Sequence, residues 1–122
     1  MLEIREYPGS NLLETIATGK VEKEDFEELK PIMERKIDRY NTLRWIFEMK
    51  DFDGWEPEAF VEEAKLNLKH VKDFEKVAVV GDKNWHKWVT KSLKPFMPEH
   101  TRLMFFETDE KSEAKNWMDG IY

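Results

Sequence analysis

The chain has 122 residues, 20 Lys and Arg against 26 Asp and Glu, a formal net charge of −6 and no cysteine. One domain spanning residues 1–122 fits that length. The missing cysteines exclude disulfides, thiolate nucleophiles and Cys-ligated metal centres, and the acidic balance argues against charge-driven nucleic-acid binding.

Residues Leu2 to Tyr7 alternate apolar and charged side chains, the pattern of a strand with one wet face. Pro8-Gly9-Ser10-Asn11 is a turn cluster. A second strand, Leu12 to Thr18, ends at Gly19, and the two are expected to form an antiparallel hairpin. From Glu22 to Tyr40 the apolar residues Phe26, Leu29, Met33, Ile37 and Tyr40 follow helical spacing. Acids crowd the start of this segment and bases its end, as the helix dipole favours. Pro31 falls inside it, where a kink or break is expected.

Leu43 to Met49 reads as a strand covered on both faces, since Leu43, Trp45, Phe47 and Met49 alternate with the equally apolar Ile46. Asp51 to Trp55 is expected to be the loop that follows. Pro57 suits the first turn of a helix, whose inner stripe is predicted as Phe60, Ala64, Leu68 and Val71. The run Lys76 to Val80 has the β-branched character of a buried parallel strand and stops at Gly81-Asp82. A third helix places Trp85, Trp88, Val89, Ser92, Leu93 and Phe96 on one side, limited by Pro95 and Pro98. Arg102 to Phe106 is a last strand. Asp109 is predicted to cap a final helix with Ala114, Trp117, Met118 and Ile121 inward.

The element order ββαβαβαβα predicts an α/β fold with a mixed, mostly parallel five-stranded sheet and flanking helices. The longest apolar runs, Val77 to Val80 and Leu103 to Phe106, fall far short of the ~20 residues of a membrane span. The first residues lack signal-peptide form. Cytoplasmic residence is therefore the expectation.

Ligands of such sheets bind at the carboxyl ends of strands, which draws attention to Asp51–Trp55 and Gly81–Lys83. Asp51, Asp53 and Asp82 could together hold Mg²⁺ through oxygen ligands, and a Mg²⁺-dependent phosphoryl-transfer enzyme is the third-ranked reading. The competing reading is local: the aspartates cap the turn and helix that follow them. His70 suits a helix C-terminus by its charge, and His86 and His100 lack a paired ligand at helical spacing. No nucleophilic triad can be assembled around the serines. Gly81-Asp82-Lys83-Asn84 opens a helix but has one glycine, so it is not a nucleotide-binding loop. No catalytic residue, metal or cofactor is assigned.

Of the five tryptophans and eight phenylalanines, Trp45, Trp85, Trp88 and Trp117 lie on inferred inner faces. Phe52 and Trp55 instead fall in the expected loop, where they could close over an apolar ligand or simply clasp the next helix.

The stretch Asp51-Phe52-Asp53-Gly54-Trp55, the helix ending Lys69-His70, then Phe74 and Val77 to Trp85, with Gly19, Asp25 and Pro31 earlier, resemble the bacterial SpoIIAA-like family of STAS-related domains. The resemblance covers nearly the whole chain. It implies a single α/β domain with kinship to anti-anti-sigma factors and, more distantly, to CRAL-TRIO lipid-binding domains. Anti-anti-sigma proteins carry a phosphorylatable serine at the start of the helix after this strand. Asp53 stands at that place here, and this departure from the family's pattern argues against a phosphorylation switch at this position.

The leading expectation is a non-enzymatic binding or regulatory domain for a small hydrophobic or lipid-like ligand. Phe52, Trp55, Phe60, Ala64, Trp85 and Trp88 would line the site, with Phe52–Trp55 as a lid. Contact with a membrane surface would be weak, because no basic patch is evident. The second expectation is a STAS-type protein partner held through Asp51, Asp53 and Gly54. A homodimer is compatible with exposed aromatic patches.

Overall fold

The computed structural model describes residues 1–120, with side chains at all of them save positions 60, 64, 67, 68, 92, 93 and 96. Five strands form one sheet in the order β1 to β5: β1 (Leu2–Glu6), β2 (Leu12–Val21), β3 (Leu43–Trp55), β4 (Phe74–Gly81) and β5 (Arg102–Glu107). The first pair is antiparallel and the other three are parallel. The expected hairpin and mixed sheet are both present.

Four helices connect or cover these strands: α1 (Lys23–Tyr40), α2 (Pro57–His70), α3 (Lys83–Trp88) and α4 (Lys111–Met118). Parallel strands laid side by side in chain order, with crossovers of one hand, put every connecting helix on the same face. Accordingly α1, α2 and the segment after α3 share one core with Leu13, Trp45, Phe47, Val77 and Val79. The opposite face is covered by α4, whose Ala114 and Met118 pack with Leu12, Ile46, Ala78, Val80 and Phe106. The strand order never reverses, so the sheet has no switch-point crevice of the doubly wound kind.

Local chemistry explains most of the boundaries. In α1, Glu22 and Asp25 form a reciprocal capping box, and Asn41, in the left-handed region, closes the far end by donating its backbone N–H to Ile37 O. Pro31 does not break this helix. It sits on the exposed side, and the core residues Phe26, Leu29, Met33 and Ile37 hold the two halves to one sheet. In α3, the Asp82 carboxylate accepts from Asn84 N at 3.0 Å and Trp85 N at 3.3 Å, as the capping reading expected. The third helix is shorter than expected. It passes at Val89 into a π-helical turn and then a 3₁₀ turn over Lys94–Phe96. The last helix is capped differently from expectation. Glu107 and Glu110 form the capping box of the 3₁₀ turn Thr108–Glu110 that leads into α4, and Asp109 is exposed within it.

The main departure lies in β3. Asp51–Trp55 is not a loop: the strand runs through it, pairing Gly19 with Phe52, Lys20 with Gly54 and Val21 with Trp55. β2 is correspondingly longer and continues past Gly19 to Val21. Among the described residues of α2, Ala59, Leu66 and His70 are buried, and Val71, just beyond it, is half-buried. The expected positions Phe60, Ala64 and Leu68, like Ser92, Leu93, Phe96 and Ile121 further on, lie outside the described residues.

Candidate functional site

The extension of β3 contains two irregularities, and they decide where its aromatics point. Side chains alternate strictly along a regular strand, so Phe47 and Met49 share a face that Phe52 would leave. Between Met49 and Phe52, β3 has an extra residue relative to β2, and between Phe52 and Gly54 it has another. Asp51 (φ 49°) and Gly54 (φ 108°) absorb these bulges in the left-handed half of backbone space, which Asp tolerates and Gly favours. Each bulge resets the alternation. Both Phe52 and Trp55 therefore turn onto the face of Phe47 and pack against the main core.

There they meet α3. Phe52 and Trp55 have ring centroids 4.9 Å apart, edge to face. Phe52 lies 5.0 Å from Trp85, and Trp55 lies 5.8 Å from Trp85 and 5.1 Å from Trp88. Trp85 and Trp88 are 5.8 Å apart. All these separations fall in the favourable range for aromatic pairs. The cluster continues inward through Phe47, 6.4 Å from Trp55, to Trp45 at 5.6 Å and Phe74 at 5.9 Å beyond. Trp45 is buried and donates its indole N–H to Thr15 Oγ1 at 3.0 Å. The outer four, Phe52, Trp55, Trp85 and Trp88, remain only half-buried.

Four of the six residues expected to contact a ligand are thus brought together. Phe60 and Ala64 lie outside the described residues. The expected lid is replaced by paired strand, so Phe52 and Trp55 form a fixed wall. Asp51 and Asp53 are exposed beside this wall. Asp53 lies inside the strand and not at a helix start, because α2 begins only at Pro57. Asp51 and Gly54 have a backbone role at the bulges. Among the described residues, no three His, Asp or Glu side chains converge as a metal site.

His70 ends α2 as expected and is more enclosed than its sequence position suggested, with Nε2 3.3 Å from Glu34 Oε2 and Nδ1 3.6 Å from Asp73 Oδ2. Lys69 also reaches Glu34, at 3.0 Å, joining α2 to α1. Lys69, through its hydrogen bond, holds the Glu34 carboxyl below its ordinary value.

One polar cluster was not anticipated. On the α4 face, Glu14 (2% exposed) and Glu48 (7%) project from neighbouring strands. Lys111 Nζ bridges them at 2.8 and 2.6 Å. Tyr7 donates its hydroxyl to Glu14 Oε1 at 2.8 Å, and Lys115 reaches the Tyr7 hydroxyl at 3.1 Å. Burial pushes the Glu14 carboxyl up, but hydrogen bonds from Lys111 and Tyr7 and the lysine charge outweigh it and hold it below its ordinary value. Lys111 is correspondingly held above its own, against its burial, by the two glutamates. The available signal was Glu48 between the apolar Phe47 and Met49 of a central strand. A buried carboxylate there requires a cation from elsewhere in the chain.

A separate concavity of about 540 Å³ lies at the opposite end of the sheet, among Glu6, Gly9, Arg35, Lys36, Arg39 and other residues. Its most enclosed cation, Lys36, is already used: it donates to Ser10 O at 2.7 Å and Tyr7 O at 3.2 Å, pinning the β1–β2 turn.

The fold and this cluster define a compact mixed-sheet domain with helices α1 to α3 on one face and a partly open aromatic edge where β3 meets α3. The sequence model of the SpoIIAA-like family matches residues 12–119, and the chain belongs to that family. The fold is similar to the crystal structure of an uncharacterized protein of the DUF3478 family, with a SpoIIAA-like fold, from Shewanella loihica PV-4. The TM-score is 0.77 at 28% identity, over 97% of this chain and 92% of that one. No curated protein matches. Among the described residues, no helix is long and apolar enough to cross a membrane.

Proposed function

We propose that the chain is a non-enzymatic binding domain whose aromatic edge takes a small apolar or amphipathic ligand. The observation that supports this reading is the half-buried quartet Phe52, Trp55, Trp85 and Trp88. Two bulges bring its β3 members onto one face with the tryptophans of α3, and the inner core beneath is closed. Aromatic groups left partly open on a rigid frame favour apolar partners. The chain has a net charge of −6, so contact with an anionic bilayer would be weak and salt-sensitive.

Tryptophan emission titrated with octanol, fatty acids and phosphatidylcholine vesicles tests the reading. A saturable blue shift is expected with at least one of them, and it should be reduced in Trp55→Ala. An emission spectrum unmoved by every apolar ligand would overturn it.

A second reading is a STAS-type interaction surface. The observation favouring it is the exposed pair Asp51 and Asp53 beside the same aromatics, an arrangement able to hold a partner with basic and apolar side chains. A partner so held should be lost on Asp53→Lys and retained by Trp88→Phe. Equal retention by both variants would remove this reading.

A further inference from the structure

The concavity at the far end of the sheet from the aromatic edge gathers charge of one sign. Arg35, Lys36 and Arg39 of α1 line it, with Glu6 and Asp38 as its acids. Arg35 and Arg39 stand one helical turn apart, a like-charge spacing that weakens a helix and does nothing for α1 itself. Glu6 is paired with Arg35 at 3.7 Å. Lys36 and Arg39 then face Asp38 alone, which leaves the concavity cationic in a chain of net charge −6.

Lys36 is the unusual group among them. It is only 7% exposed. Its two hydrogen bonds go to neutral acceptors, Ser10 O at 2.7 Å and Tyr7 O at 3.2 Å. A lysine ammonium has three N–H groups, and among the described residues no carboxylate forms an ion pair with this one. A buried cation without an anion is costly. Burial accordingly holds the Lys36 amine below its ordinary value, against the pull of Glu6. Arg39 is exposed and has no ion pair among the described residues; its guanidinium carbon lies 5.6 Å from the centre of the Tyr40 ring.

A volume of about 540 Å³ is that of a small-molecule site. An ammonium gives a point contact and a guanidinium a planar fork, and the two together suit a carboxylate. A second negative charge on the ligand would meet Glu6 and Asp38. Pro8 and the half-buried Tyr40 ring supply apolar wall for the rest of the molecule. We infer that this concavity binds a small monocarboxylate with an aromatic body, the carboxylate between Lys36 and Arg39 and the ring against Pro8 and Tyr40. The C-terminal end of α1 is partly negative and opposes the anion, so the affinity is modest, about 1 mM. This site is separate from the aromatic edge and stands independently of the reading given for it.

The test titrates three probes of one ring size into ¹⁵N-labelled protein at pH 7 and low salt: benzoate, its neutral isostere benzamide, and the dianion phthalate. The expected result is a saturable shift of the Gly9, Arg39 and Tyr40 amides with benzoate. Benzoate should bind at least about tenfold more tightly than benzamide, and more tightly than phthalate. Arg39→Gln and Lys36→Met should each weaken benzoate by about tenfold. Thermal melting checks that Lys36→Met is folded, and Arg39→Gln, at an exposed position, decides the matter if it is not. Benzamide or phthalate bound as tightly as benzoate overturns the inference. So does benzoate that fails to saturate, that shifts the amides of Trp55 and Trp85 instead, or that binds Arg39→Gln with unchanged affinity.

Discussion

Trp55, the last residue of β3, stacks at a 33° tilt against Trp88, the last residue of α3, with ring centroids 5.1 Å apart. This contact ties the strand extension to the helix that follows the next strand. It makes the aromatic edge a structural joint as well as a candidate binding surface. Trp55→Ala should therefore cost about 2–3 kcal/mol in urea unfolding, below the range for a fully buried tryptophan because the ring is half-open. Trp55→Phe should recover most of that. The same pair of variants separates the structural cost from any loss of ligand response.

The bulge at Gly54 aims Trp55, and its φ of 108° suits glycine alone. There is open space around the position a Cβ would take, so strain and not collision is the penalty. Gly54→Val should destabilise by about 1–3 kcal/mol. It should also red-shift tryptophan emission as Trp55 leaves the cluster. An unchanged spectrum would show that the bulge does not position the ring.

Beneath the edge, Thr15 supplies the acceptor for the buried Trp45 indole N–H. Thr15→Val keeps the shape and removes the acceptor, so a loss of about 1–3 kcal/mol is expected. In a Trp45→Phe background the same change should cost little, because no donor is left unsatisfied. Chemical denaturation of the double-mutant cycle measures the coupling.

The bridge from Lys111 to Glu14 and Glu48 attaches α4 to the sheet. Glu14 has a depressed value in the folded state, so its stabilisation is present above its unfolded value of about 4.5 and is lost as pH falls through the lower folded value. Lys111 is raised above 10.5, so its share is present below that value and is lost as pH rises through the folded one. The contribution should plateau between these limits. Lys111→Met should cost about 3 kcal/mol on that plateau, since it leaves two buried carboxylates without their cation. The deficit should shrink below pH 4. Melting temperatures across pH 3–9 give the profile.

Glu63 runs the other way. Its folded value is raised to about 8, so the folded state retains this proton more tightly than the unfolded chain does. Stability is lost as pH rises from about 4.5 toward 8. Glu63→Gln should raise the melting temperature at pH 9 and change it little at pH 4. An equal effect at both pH values would show that the wild-type carboxyl is not enclosed.

Much of the architecture was legible from periodicity. The alternation of Leu2 to Tyr7, the helical stripe of Phe26 to Ile37 and the β-branched run ending at Val80 each report a face that must be buried, and burial is a local requirement written into spacing. Asp82 announced its cap because capping needs only neighbours in sequence. The strand extension through Trp55 was not legible, because Asp51-Phe52-Asp53-Gly54 has the composition of a turn. It is strand only because β2 continues past Gly19 and offers a partner.

By itself, then, the amino-acid sequence determined the element order, the mixed sheet, the family resemblance and a set of aromatics near one sheet edge, all consequences of short-range pattern. The tertiary structure alone decided which way Phe52 and Trp55 face, since two bulges defined by pairing with β2 reset the side-chain alternation. It alone joined Glu14 and Glu48 to Lys111, about one hundred residues beyond Glu14 in the chain. Each of these depends on groups distant in sequence meeting in a medium that penalises unpaired charge, and no local spacing specifies where such meetings occur.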